Sequence, residues 1–320
     1  MNLRIISALA LAFFPLFATN ALSAETSSPQ SPPTVDFTAV GGPAKTTTLG
    51  SLDPNTGFKF LLELTSKGAA ISKATLSEFD DRNRENLQPL VLLSPATRPD
   101  GSQVFSMANQ ALVLTDSQLQ LRLDKLDWNI PNVITDGGLQ TASFEAIIKN
   151  KATGEPVIKL TKIYTVKAGD YYVDCNLTIE NLSLDEQGIC FDLTGPAGIG
   201  REDSGREDRK ALAGLRNSSG HINGIRASIS NFDARKQFDE IVFNQPNTQF
   251  LWTAITNKYF TAILVPLPQQ GKALCDWVNG RRNKAGDKQI ISNEKKNSGK
   301  IKRDSASKIT SIAKRYSFPN

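Results

Sequence analysis

Few residues in this 320-residue chain could do chemistry, and their spacing removes most of what they could do. There is one histidine, His221, set in the loop-forming run Asn217-Ser-Ser-Gly-His-Ile-Asn-Gly224, where it reads as a loop residue rather than a base. One imidazole cannot make a histidine-pair metal site. The three cysteines, Cys175, Cys190 and Cys275, show no Cys-x-x-Cys spacing. No Gly-x-Ser-x-Gly elbow presents a nucleophilic serine. The cluster Gly195-Pro-Ala-Gly-Ile-Gly200 lacks the Gly-Lys-Ser/Thr ending of a phosphate loop and reads as turn chemistry. Asp170, Asp174, Glu180, Asp192, Glu202 and Asp203 supply carboxylates, but a catalytic pair is defined by separation in space, which spacing along the chain does not give. The reading is a non-enzymatic protein with no catalytic, metal or cofactor residue assigned and no cofactor expected.

Binding chemistry is a separate matter. Trp128, Trp252 and Trp277 are the residues that could stack on a sugar ring, which keeps a secreted carbohydrate-binding or sugar-modifying β-sandwich as the alternative reading. Trp252 falls in a strand-like run, where packing is the better account.

The elements around these residues are strands. In Gly169 to Asn181, the odd positions Tyr171, Val173, Cys175, Leu177 and Ile179 alternate with Tyr172, Asp174, Asn176, Thr178 and Glu180. That period of two predicts a strand with one face on a core. Val157 to Val166 precedes it across the turn Lys167-Ala-Gly-Asp170, and Ile189 to Thr194 follows the loop 181–188. Together the three predict a meander of antiparallel strands. Further strand-like runs are Phe58 to Thr65, Ile71 to Phe79, Leu87 to Leu93, two bursts within Gln110 to Leu126, Ser143 to Lys149, Phe238 to Phe243, Phe250 to Thr256 and Tyr259 to Val265. Many short strands with turn signals between them predict an all-β sandwich. Cys175 and Cys190 take opposite facings on neighbouring predicted strands and Cys275 lies far along the chain, so inert thiols are the expectation over a disulfide.

Charge divides the chain. Residues 281–320 carry twelve Lys and Arg against three Asp and Glu, which leaves −4 on the other 280 residues of a chain whose net charge is +5. The body is mildly acidic, so no nucleic-acid partner is expected. At the other end Arg4, the apolar run Ile5 to Ala18 and the small residues Ala21, Ser23 and Ala24 read as an export segment, either a signal peptide or an uncleaved anchor. The expected organisation is 1–24 signal peptide or anchor, 25–47 a Ser/Pro/Thr-rich linker, 48–278 the β-sandwich, and 279–320 a basic disordered tail.

The run Lys162-Ile-Tyr-Thr-Val-Lys-Ala-Gly-Asp-Tyr-Tyr-Val-Asp-Cys-Asn-Leu-Thr-Ile-Glu-Asn181 resembles the central strands of the periplasmic domain of YidC-type membrane protein insertases. Leu61-Leu-Glu-Leu-Thr-Ser-Lys-Gly-Ala-Ala-Ile71 resembles the opening strand, turn and Gly-Ala step of that domain, and Trp252-Thr-Ala-Ile-Thr-Asn-Lys-Tyr-Phe-Thr-Ala-Ile-Leu-Val-Pro266 resembles its closing signature. The three occur in the right order over about residues 48 to 268. The resemblance implies a large antiparallel sandwich similar to the galactose-mutarotase group, on the periplasmic side of the inner membrane, soluble or held by an uncleaved N-terminal segment. It implies translocon components or nascent membrane proteins as partners. Mutarotase-like enzymes use a histidine pair, which a chain with one histidine cannot supply, so the fold does not bring that activity. The five membrane helices that follow the domain in the insertases are missing here, and insertase activity by this chain alone is not expected. The similarity fades after Pro268, as a shifted frame or truncated gene would make it; a stand-alone exported relative is the alternative. If strands are missing, the sheet is left with an unpaired, aggregation-prone edge.

Overall fold

The computed structural model describes residues 36–81, 85–98, 100–115, 117–131, 133–201, 208–228, 240–242, 247–267, 277–282 and 307–317. Strands make up nearly all the regular structure of these residues, with a single 3-10 turn at Pro54–Thr56. The fold is an all-β antiparallel sandwich, as the alternating sequence requires.

One layer is built on two long strands, β11 (Leu139–Asn150) and β12 (Pro156–Lys167), paired along almost their whole length. On β12, Leu160, Lys162, Tyr164 and Val166 point inward and are buried, while the residues between them are half-buried on the other face. On β11 the inward set is Ala142, Phe144, Ala146 and Ile148. Small residues on β11 face larger ones on β12, and Phe144 meets Tyr164 edge-to-face with centroids 5.8 Å apart, a pairing worth about 1 kcal/mol beyond its area. β13 (Asp174–Asn181) extends this sheet beyond β12, and β1 (Phe37–Val40) closes the β11 side. Opposite lies a second sheet containing β8 (Asn109–Leu114), β9 (Leu119–Arg122) and β14 (Gly188–Thr194). Ala111 and Phe191 of that sheet line, with Leu160, Leu177 and Ile179 of the first, a space of only about 10 Å³, so the two inner faces are in contact.

Two smaller sheets complete the core: β2 (Thr46–Gly50), β3 (Phe60–Thr65), β4 (Ala70–Asp80) and β5 (Pro89–Leu93) in that order, and β16 (Ile222–Ser228), β15 (Lys210–Asn217), β18 (Thr248–Thr256) and β19 (Thr261–Leu264). In the last of these, Gly214 stands opposite Trp252, and a Cβ at Gly214 would lie 2.2 Å from the indole nitrogen. The indole ring therefore lies across the glycine, covering backbone that has no side chain of its own.

The structure corrects several expectations. β14 does not continue a meander. The loop 181–188 carries the chain to the opposite layer, where β14 pairs with β8. β13 begins at Asp174, and Tyr171 and Tyr172 precede it at 53% and 58% exposure. Tyr171 is held on the surface because its hydroxyl donates to the Glu78 carboxylate while Lys59 sits over its ring. Folded structure starts earlier than residue 48, since β1 lies inside the expected linker and buries Phe37. β20 (Trp277–Arg282) runs across the expected boundary at 279, and β21 (Ser307–Ser317), within the expected disordered tail, is a strand lying between β20 and β14. The export segment 1–24 lies outside the described residues, as does Cys275. Cys175 and Cys190 sit in different layers, each as a thiol. Among the described residues no helix is long and apolar enough to cross a membrane.

Candidate binding cleft

The turn Ser66-Lys67-Gly68-Ala69 joins β3 to β4 and organises the main cleft. Gly68 and Ala69 both take positive φ, 67° and 49°, so the chain reverses in two residues. Alanine pays for that conformation with about 1 kcal/mol of strain, which the surroundings must over-determine. They do so by hydrogen bonds on every side. Gly68 N–H donates to Leu126 C=O (2.9 Å), Asn109 N–H to Gly68 C=O (2.9 Å), and Trp128 N–H to Ser66 C=O (2.9 Å). From the dry side, the buried Tyr164 hydroxyl donates to Ala69 C=O at 2.8 Å.

Lys162, one inward position away on β12, works in the same way. Its ammonium donates to the carbonyl of Met107, a second non-glycine residue at positive φ (60°), and lies 5.2 Å from the centre of the Tyr164 ring. Burial lowers the Lys162 pKa to about 8, against a small opposing pull from Cys175. Burial pushes the Tyr164 hydroxyl well up and raises the Cys175 thiol, so both stay protonated at neutral pH. The buried group is thus a structural pin.

On the wet side of the same turn lies a cleft of about 620 Å³. Its floor is Ser66, 1% exposed, whose hydroxyl donates to the Asp127 carboxylate at 2.7 Å and accepts from Lys45 N–H at 2.9 Å. Arg122 grips Asp124 with two hydrogen bonds of 3.0 and 2.7 Å, and Arg98 approaches the same carboxylate at 3.6 Å. Lys45, Lys67, Arg98 and Lys125 line the cleft, so four cations face two carboxylates that already have partners. The walls add Thr46, Thr65, Ser102, Gln103 and Phe105. Such a site can recognise a polar anion.

The residues singled out from the sequence are not brought together. Asp174 and Glu180 stand at opposite ends of the outward face of β13, Asp192 is in the other layer, and Glu202 and Asp203 lie outside the described residues. His221 sits in the turn between β15 and β16, its N–H donating to Asn217 Oδ1 at 2.9 Å. Trp128 is fully buried, which removes it as a sugar platform, and Trp252 is committed to Gly214. The side chain of Trp277 lies outside the described residues. Sequence reasoning missed the cleft because its walls come from four separated segments; only the Ser66–Ala70 turn carried a signal.

Several solved structures are similar to this chain. YeaD from Salmonella typhimurium aligns over 81% of this chain and 80% of its own at 12% identity, with a TM-score of 0.38. A galactose mutarotase related enzyme from Lactobacillus acidophilus aligns over 84% and 85% at 11% identity, TM-score 0.38. The Slr1438 protein from Synechocystis aligns over 86% and 97% at 14% identity, TM-score 0.34. No curated protein matches the sequence. The family model of the YidC periplasmic domain matches residues 58–311, which takes in the three motifs and continues past Pro268, where the resemblance read from the sequence fades. The chain belongs to the YidC periplasmic domain family.

Proposed function

We propose that this chain is a non-catalytic interaction module acting in membrane protein insertion on the periplasmic side of the membrane. In this reading it contacts translocon components or client segments emerging from the bilayer. The observation that carries it is the family match across residues 58–311. The chemistry agrees: the cleft beside the Ser66–Ala69 turn is a polar, cation-lined recess, and the buried Lys162 and Tyr164 serve the backbone. Residues 1–24 act as the export segment, as a signal peptide or an anchor. The carbohydrate reading loses its best platform with Trp128 in the core.

The test is a pull-down from detergent-solubilised membranes with the tagged full chain and with a chain lacking residues 58–267. Translocon subunits retained by the first and lost by the second are expected. Equal retention by both, or by neither, sinks the reading.

A further inference from the structure

The charges of the cleft do not balance, and the imbalance is local. Asp124 is neutralised by Arg122 and approached by Arg98, and Asp127 is satisfied by the Ser66 hydroxyl. Lys45 spends one N–H on the Ile130 carbonyl at 3.1 Å. Lys67 and Lys125 have no hydrogen bond or ion pair from their ammonium groups among the described residues. Lys67 bridges to Asp127 along the backbone, two residues from Lys125, so the two ammoniums flank one wall. Outside residues 281–320 the chain is net acidic, so this surplus is not the sign of a generally basic surface.

We infer that the cleft between Lys67, Lys125 and Lys45 binds a phosphate group. A carboxylate is best met by the planar fork of an arginine, and in Arg98 one corner of that fork, Nη1, is already turned to Asp124 at 3.6 Å and to Ser102 Oγ at 3.3 Å. What is left is a set of ammonium point charges, each with three donors on a flexible stem, which suits a tetrahedral anion. A recess of about 620 Å³ is large enough for a phosphate carried on a polar body, and Thr46, Thr65 and Gln103 line the remainder with hydrogen-bonding groups. The floor is rigid before any ligand arrives, since Ser66 and Asp127 hold each other. The source is either a phospholipid headgroup or a soluble phosphate ester.

The test uses the full chain with two probes, glycerol 1-phosphate followed by calorimetry, and flotation with vesicles of phosphatidylglycerol or of phosphatidylcholine, at low ionic strength. The basic residues beyond 282 will attract anionic vesicles by themselves, so the reading comes from the variant pair Lys67→Ala with Lys125→Ala. Binding weakened about ten-fold in that variant, and unchanged in a Lys151→Ala with Lys159→Ala control, is expected. Loss with both probes identifies a soluble ester as sufficient; loss with phosphatidylglycerol vesicles alone identifies the headgroup. Equal affinity of variant and unaltered chain for both probes, or no binding to either, overturns the proposal. Both lysines are exposed, and an unchanged urea midpoint excludes misfolding as the cause. The translocon pull-down does not depend on the outcome.

Discussion

Two sets of cations sit on either side of one turn, and they are used in opposite ways. Below the Ser66–Ala69 turn, Lys162 is sealed between the layers with a backbone carbonyl for company and no carboxylate among its named contacts. Above it, Lys67 and Lys125 stand in water at the rim of a cleft. A buried ammonium costs stability unless it is paired, so it is tolerated only where a backbone group needs a donor that no apolar side chain could give. An exposed ammonium costs almost nothing and contributes little to the fold, which leaves it free to meet a ligand. The position of a lysine relative to this one turn therefore separates architecture from recognition.

The comparison can be broken most forcefully from the dry side. Trp128→Ala should destabilise the chain by about 4 kcal/mol through transfer and cavity costs, read as a lower urea midpoint at unchanged m-value. Retained stability would mean that the layers are looser than the burial of Trp128 implies. Tyr164→Phe keeps the ring and removes the hydroxyl that donates to Ala69 C=O, with its longer 3.5 Å contact to Met107 C=O and its contact with Cys175. A loss of about 1 to 3 kcal/mol is expected for the orphaned carbonyl, and a neutral result would show that the turn does not need its pin.

Lys162→Met sharpens the comparison through pH. Lys162 gives up its proton at about 8 in the folded chain and near its ordinary 10.5 when unfolded. Between those values the unfolded chain holds more protons, so this group makes stability rise with pH from about 8 to 10.5. Its penalty is complete below 8, at an order of about 3 kcal/mol. The variant loses the penalty and also the hydrogen bond to Met107. Its gain over the unaltered chain should therefore be largest at neutral pH and shrink by pH 10.5; parallel profiles would contradict the burial of the charge. Smallest of all, Lys67→Ala with Lys125→Ala should move stability by less than about 0.5 kcal/mol.

The period of two made most strands readable, because in an antiparallel sandwich burial alternates with the pleat. What it could not say is which strand pairs with which. Ile189 to Thr194 reads the same whether the eight residues before it make a hairpin or a crossing, and here they cross. Phe37–Val40 was hidden by its brevity among prolines and glycines, although it lies against β11. Tyr171 fits the alternation and yet sits outside, since Glu78 and Lys59 offer it a polar anchor that no linear pattern contains. The cleft is illegible for a related reason. Its lysines come from positions 45, 67 and 125, and they are brought together only by the pairing of Thr46 with Thr65 and by the turn's backbone contacts with Leu126 and Asp127.

Ala69 has a consequence for how much information one position can carry. Its backbone is left-handed, its side chain is fully buried, and its carbonyl is taken by a phenol from the opposite side. Left-handed backbone disfavours branched and bulky residues, and a side chain with no exposure has no solvent into which a longer one could extend. Of twenty letters, glycine and alanine remain. A saturation library at position 69, sorted for folded chains, should return those two and almost nothing else. A two-letter alphabet at a turn with no chemistry of its own is enough to mark a lineage, which is how a position outside any assigned site can still help to place a protein by its sequence.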